Sequence, residues 1–159
     1  MANATHLEIL RSGVRQWNAW RRAHARAPRR ILPDLSNASL EGLNLRRYDL
    51  SRANLWGAQL QKADLRGANL SYAQMRGVDL SGANLAKAEI RFAVLSRARL
   101  VGTSLAGADL RGTSLRRAVL HGANLSRANL RHASLAEVDL TDAILRGAEV
   151  YGIGAWGVK

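Results

Sequence analysis

From Leu35 to Val150 the chain returns to an apolar residue at every fifth position, twenty-four times without a slip. Only Met75, Ile90 and Val150 depart from leucine, and the position two before each is alanine in most repeats. Two inward residues separated by one outward residue is the spacing of an extended strand. A period of five fits neither a long strand nor a helix, so the chain must turn after each short extended piece. No five residues can bury a leucine alone, and the units must therefore stack on one another.

Composition agrees with a thin, regular interior. Hydrophobic residues make up 47% of the 159 but aromatics only 5%, so the core must be built from Leu and Ala. No cysteine is present, which removes disulfide, thiolate and cysteine-metal chemistry and fits a reducing compartment. Residues 1–10 lack a basic region followed by an apolar run, and no stretch approaches the ~18 consecutive apolar residues of a spanning helix. The expected location is the cytoplasm, with no membrane span.

Ala53-Asn54-Leu55, Ala63-Asp64-Leu65, Ala68-Asn69-Leu70, Ala83-Asn84-Leu85, Ala108-Asp109-Leu110, Ala123-Asn124-Leu125 and Ala128-Asn129-Leu130 spell one motif, Ala-(Asp/Asn)-Leu-X-X. In this the chain resembles the pentapeptide repeat family. The resemblance implies an all-β solenoid: a right-handed quadrilateral β-helix with four repeats per coil, hence about six coils over residues 33–152. At the ~4.8 Å spacing of neighbouring strands the tower should stand about 29 Å tall. One group in that family resists gyrase poisons by resembling duplex DNA, which requires an acidic surface. The net charge here is +12, so DNA mimicry is not expected.

Residues 1–32 read as an N-terminal amphipathic helix and linker. Thr5 and Glu8 match a capping box, and the helix is expected to start there and stop before Pro28. Leu7, Leu10, Val14, Trp17 and Trp20 share one side, while Arg11, Arg15, Arg22 and Arg26 form a stripe on another. The leading expectation is an α-helical cap on the open end of the array, ahead of docking a partner or lying on an anionic membrane surface. Tyr48, Leu43 and Pro33 enlarge the alanine column at the base, where the tower should widen to meet the helix.

Stacking in multiples of twenty sorts the outward charges onto four sides. The Leu45 side carries Arg46, Arg47, Arg66, Lys87, Arg127 and Arg146 against Asp64 alone and is the candidate binding face. On the Leu50 side Arg52, Arg91, Arg111 and Arg131 balance Asp49, Glu89, Asp109 and Glu149, as a ladder of surface ion pairs. The Leu40 side is slightly acidic, and the Leu35 side carries Arg76, Arg97, Arg116 and Arg117 against Asp34 and Glu137.

Nothing in the sequence reads as an active site. The tail residues Gly152, Gly154 and Gly157 spell G-x-G-x-x-G, but no βαβ unit surrounds them. His121 and His132 fall on opposite sides, and His6 and His24 lie at the two ends of the leader, so neither pair suggests a metal or catalytic site. No catalytic, cofactor-binding or metal-binding residue is assigned. The repeat phase is expected to end at Val150, with residues 153–159 a C-terminal lid or a truncated continuation of the chain, and Tyr151 and Trp156 the candidate lid residues or assembly contacts for a homo-oligomer through the C-terminal end. The functional expectation is a non-enzymatic scaffold presenting flat faces to a protein partner. The alternative is a binder of nucleic acid or another polyanion.

Overall fold

The structure is a computed structural model and describes residues 1–25, 31–152, 154–155 and 157–158. Parallel β-bridges join residues twenty apart, from Asp34 with Asn54 up to Ser134 with Gly154, so four pentapeptides complete one coil. Each repeat uses the same backbone bonds. The N–H of Leu55 donates to the Gln74 carbonyl above (2.8 Å), and the N–H of Asn54 donates to the Pro33 carbonyl below (2.8 Å). Between bridges the chain turns through two residues, the second with φ near +60°, as at Arg47 (60°) and Gly67 (63°).

The Asp and Asn residues ahead of the central leucines hold these turns. Asp64 Oδ1 accepts the Arg66 N–H (3.2 Å) and Asn124 Oδ1 the Ser126 N–H (3.0 Å), two residues on in each case. Their spacing therefore serves the turn. Central leucines from Leu35 to Leu130 are buried, with the Ala column beside them. Where threonine replaces alanine its hydroxyl is satisfied: Thr103 Oγ1 donates to the Leu80 carbonyl (2.8 Å) and Thr113 Oγ1 to that of Ile90 (2.9 Å).

The upper end departs from the expectation. The ladder register does not end at Val150, because the N–H of Leu135 donates to the Gly154 carbonyl (2.7 Å) and the N–H of Gly154 to that of Ala133 (3.1 Å). Main-chain bonding needs no consensus side chain, so the backbone continues after the motif has faded. Leu145, Val150 and Tyr151 are 40%, 49% and 75% exposed, so the last central positions do not share the burial of those below. Trp156, the expected centre of the lid, lies outside the described residues.

The N-terminal segment is two helices, not one: α1 (Ala4–Arg11) and α2 (Val14–Ala25). Gly13, at φ +109°, breaks the run in a conformation that an L side chain rarely adopts. Nor does Thr5 cap the first helix. Asn3 does, its Oδ1 accepting the His6 N–H (3.1 Å) while its own N–H donates to the Asp34 carbonyl (3.0 Å). Anchoring Asn3 to the tower starts the helix ahead of the capping box. The stop expected before Pro28 lies outside the described residues, as does Arg26.

Both helices bond to the lower edge of the first coil, where strand groups have no coil beneath them. His6 Nδ1 accepts the Asp34 N–H (3.0 Å), and Asn18 Oδ1 accepts the Asp49 N–H (2.9 Å). Trp17 Nε1 donates to the Asp49 carbonyl (2.8 Å), Asn18 Nδ2 to that of Arg47 (3.0 Å) and Arg21 Nη2 to that of Ser51 (2.6 Å). Leu10 and Trp17 are buried, whereas Leu7, Val14 and Trp20 are partly buried against them. Tyr48, which enlarges the alanine column, reaches down to donate its hydroxyl to the Leu10 carbonyl (3.2 Å).

The break at Gly13 also corrects the placing of the leader histidines. His6 and His24 are not held apart, since the centroids of their rings lie 5.0 and 4.9 Å from that of Trp20. Burial lowers the His6 pKa below its ordinary 6.5, and accepting the Asp34 N–H requires an unprotonated Nδ1. The unfolded chain therefore binds that proton more readily. The stabilisation is complete above pH 6.5 and is lost as the pH falls below it towards the depressed folded value. Tryptophan fluorescence between pH 7.5 and 5 should report loosening of the helices below about 6.5, abolished in His6→Gln. A flat profile for the parent would contradict this role.

Candidate functional site

The Leu45 side is the candidate, and the six basic residues on it are not equivalent. Arg66 is held by Asp64 through two bonds, Nε to Oδ1 (2.9 Å) and Nη2 to Oδ2 (2.6 Å). That fork is the first cause holding the Asp64 carboxyl below its ordinary value. Arg46 approaches the same carboxylate at 4.0 Å. Arg47, Lys87, Arg127 and Arg146 make no side-chain hydrogen bond or ion pair among the described residues.

Three of these form a column. Arg47, Lys87 and Arg127 occupy the second turn position of every other coil, and Gly67, Gly107 and Gly147 occupy it in the coils between. Each long side chain leans over the next glycine, its Cγ 3.8, 3.7 and 3.5 Å from where a Cβ would stand. Cations thus recur about every 9.6 Å, two strand spacings. All three hold φ between 58° and 60°, a conformation that disfavours an L residue by about 1–2 kcal/mol. Glycine would relieve that strain, so the column is not the cheapest place to store surplus arginine.

At the foot of the column α2 meets the tower. Arg15 and Arg22 of the helix and Arg46 and Arg47 of the first coil surround a cavity of about 480 Å³, with Val14 and Asn18 between them. Two residues of the expected helix stripe, Arg15 and Arg22, and two of the expected basic face, Arg46 and Arg47, therefore border one groove. Arg21, which belongs to neither set, instead turns inward as a buried residue 3.5 Å from Asp49.

The other sides behave differently. On the Leu50 side Arg91, Arg111 and Arg131 pair with Glu89, Asp109 and Glu149 at 2.8, 2.7 and 3.1 Å, the expected ion-pair ladder. Arg52 is the exception, lying 4.7 Å over the Tyr72 ring, which stacks on Phe92 at 5.3 Å. Among the described residues no three His, Asp or Glu side chains gather to hold a metal ion. Among them, too, no helix is long and apolar enough to cross a membrane.

Comparison with known proteins addresses the architecture. The sequence profile described as pentapeptide repeats matches in eight copies over residues 34–67, 49–86, 63–100, 93–131 and 123–153. No curated protein gives a significant match. Among solved structures, HetL, a pentapeptide repeat protein involved in heterocyst differentiation regulation in the cyanobacterium Nostoc sp. strain PCC 7120, is 29% identical. The match covers 79% of this chain and 73% of HetL, with a TM-score of 0.41. The pentapeptide repeat protein alr5209 from Nostoc PCC 7120 is 38% identical over 66% of this chain and 85% of its own, with a TM-score of 0.36. Rfr23 from the cyanobacterium Cyanothece 51142 is 24% identical over 79% of this chain and 89% of its own, with a TM-score of 0.43. With the profile spanning residues 34–153 and the twenty-residue register of the bridges, the chain belongs to the pentapeptide repeat family, whose members form right-handed quadrilateral β-helices.

Proposed function

We propose that the chain is a non-enzymatic cytoplasmic scaffold, a rigid tower of six coils capped below by α1 and α2, that holds an acidic protein partner against its Leu45 side. The observation that carries this reading is the groove of Arg15, Arg22, Arg46 and Arg47 beneath the column of Lys87 and Arg127, which have no side-chain partner among the described residues. Ladder bonding leaves the faces stiff, so a partner meets cations already in register and little ordering is needed on binding. Cross-linking capture with the parent and with Arg47→Glu/Lys87→Glu/Arg127→Glu tests it. A partner held by the parent and lost by the variant supports the reading; equal retention by both removes it.

The same groove supports a second reading, binding of nucleic acid or another polyanion through phosphates. Aromatic side chains are absent from the six candidate positions, so any such binding would be to the backbone charge. Duplex DNA affinity should then fall steeply with salt, and the triple variant should reduce the log–log slope by more than about 2.7, the contribution of three cations, since the new carboxylates also repel. Absence of binding at low salt would dismiss this reading while leaving the first intact. Mimicry of DNA forms no part of either proposal, because the net charge of +12 is of the opposite sign.

A further inference from the structure

The Leu35 side, half a coil round and so opposite the basic column, carries a second and separate arrangement. Two cavities open on it and share Arg76 and Val94 as a common wall. The lower, about 600 Å³, is bordered by Trp56, Asn54 and Gln74. The upper, about 300 Å³, runs from Arg76 past Ser96 and Arg97 to Arg116 and Arg117. Together they form a trough that climbs the tower from an indole to four guanidinium groups. Gly77, where an added Cβ would meet nothing within 4 Å, leaves its flank low.

Two features say what the trough recognises. Trp56 is 53% exposed, a large flat apolar surface beside charged neighbours. At the top Glu137 already occupies the basic end, accepting from Arg117 Nε (2.7 Å) and Arg116 Nη2 (3.3 Å). The Arg117 bond is the first cause holding the Glu137 carboxyl below its ordinary value. Arg76 and Arg97, one and two coils above Trp56, make no side-chain hydrogen bond or ion pair among the described residues. Two of the lining arginines thus already pair with a carboxylate of the chain itself, and the guanidinium groups of Arg76 and Arg97 stand ready for others.

We infer that the trough binds an extended acidic segment of a protein partner, with an apolar side chain on Trp56 and carboxylates two and four residues further on at Arg76 and Arg97. Coils rise about 4.8 Å each, placing the two arginines about 5 and 10 Å above Trp56, while alternate side chains of an extended chain advance about 6.7 Å. The length of an arginine side chain covers the difference. A single strand of nucleic acid fits less well, since it stacks on one aromatic per base and the trough holds one in all. The inference rests on the scaffold reading only in taking the bound object to be a protein; its residues are distinct from those of the Leu45 groove.

Fluorescence anisotropy on the full chain at low salt tests it with a dye-labelled Phe-Gly-Glu-Gly-Glu peptide, its Gln counterpart and an oligothymidylate. The acidic peptide should bind, its Gln counterpart at least about tenfold more weakly, and Trp56→Ser and Arg97→Glu should each lose about tenfold. Both positions are exposed, so unchanged thermal melting is expected, and Arg97→Gln gives the same reading should charge reversal unfold the chain. The triple variant of the Leu45 column should leave peptide affinity within about twofold. No binding of the acidic peptide, equal binding of the Gln peptide, equal loss in the triple variant, or oligothymidylate binding that exceeds the peptide and is lost in Arg97→Glu would each overturn the inference. Failure of the triple variant to shed its partner bears on the Leu45 reading alone.

Discussion

Leu85→Asp should leave no cooperative melting transition. Leu85 is fully buried in a column of Leu45, Leu65, Leu105 and Leu125, and its N–H donates to the Ser104 carbonyl (2.7 Å). Truncating such a side chain costs about 2–5 kcal/mol, and an unpaired carboxylate among hydrocarbon adds several more. Burying it protonated is little better, because the surrounding backbone acceptors are already used by the ladder. The position matters as much as the chemistry. In a solenoid each coil contacts only its neighbours, so a break in the middle severs the lower coils from the upper ones. Circular dichroism melting reads the result, with Leu85→Met as a volume-matched control expected to lose less than about 1.5 kcal/mol. Cooperative melting of the Asp variant near the parent temperature would contradict the inward placing of the column.

Trp17→Ala is the second large effect, and it should be local. The indole is fully buried, 5.4 Å from the Trp20 ring and 6.4 Å from that of Tyr48, and its Nε1 satisfies the Asp49 carbonyl at 2.8 Å. Replacement forfeits about 3–5 kcal/mol and leaves an edge carbonyl without its donor. Nearest-neighbour stacking confines that loss to the base. Hydrogen exchange should therefore speed up at the amides of Leu35, Leu40, Leu45 and Leu50 while those of Leu95 to Leu110 keep the protection of the parent. Unchanged exchange in the first coil would show that the helices do not support it, and a uniform rise would contradict stacking in independent layers.

The contrast between tower and helices explains how much is legible in the residues. In the tower each inward leucine and each turn-holding Asp or Asn follows from one local rule repeated, and with the four-repeat coil that the family resemblance implies, counting in fives sets Asn54 over Asp34. In the leader the apolar face is legible, but its three- and four-residue spacing runs through Gly13 and hides the break there. Without that break the fold-back that sets both His6 and His24 against Trp20 cannot be foreseen. Asn3 is a recoverable signal, since it is as good a capping residue as Thr5 and stands three residues before His6. The candidate site is legible as a set of basic positions and not as a site. Summing the Leu45 side cannot tell Arg66, neutralised by Asp64, from Arg127, which has no such partner among the described residues.

The sequence by itself determined the period and which residues point inward; joined to the four-repeat coil that the family resemblance implies, it also set the buried columns and the side on which each charge stands. It could do so because every unit repeats the same inward and outward positions, so one count places them all. Only the tertiary structure decided which charges cancel, where α2 docks, and that Arg15, Arg22, Arg46 and Arg47 border one groove. Those outcomes depend on contacts between segments about thirty residues apart, such as Trp17 with Asp49 and Asn18 with Arg47. Their free energy comes from the docking of two helices on a coil edge, which no local pattern in either segment encodes.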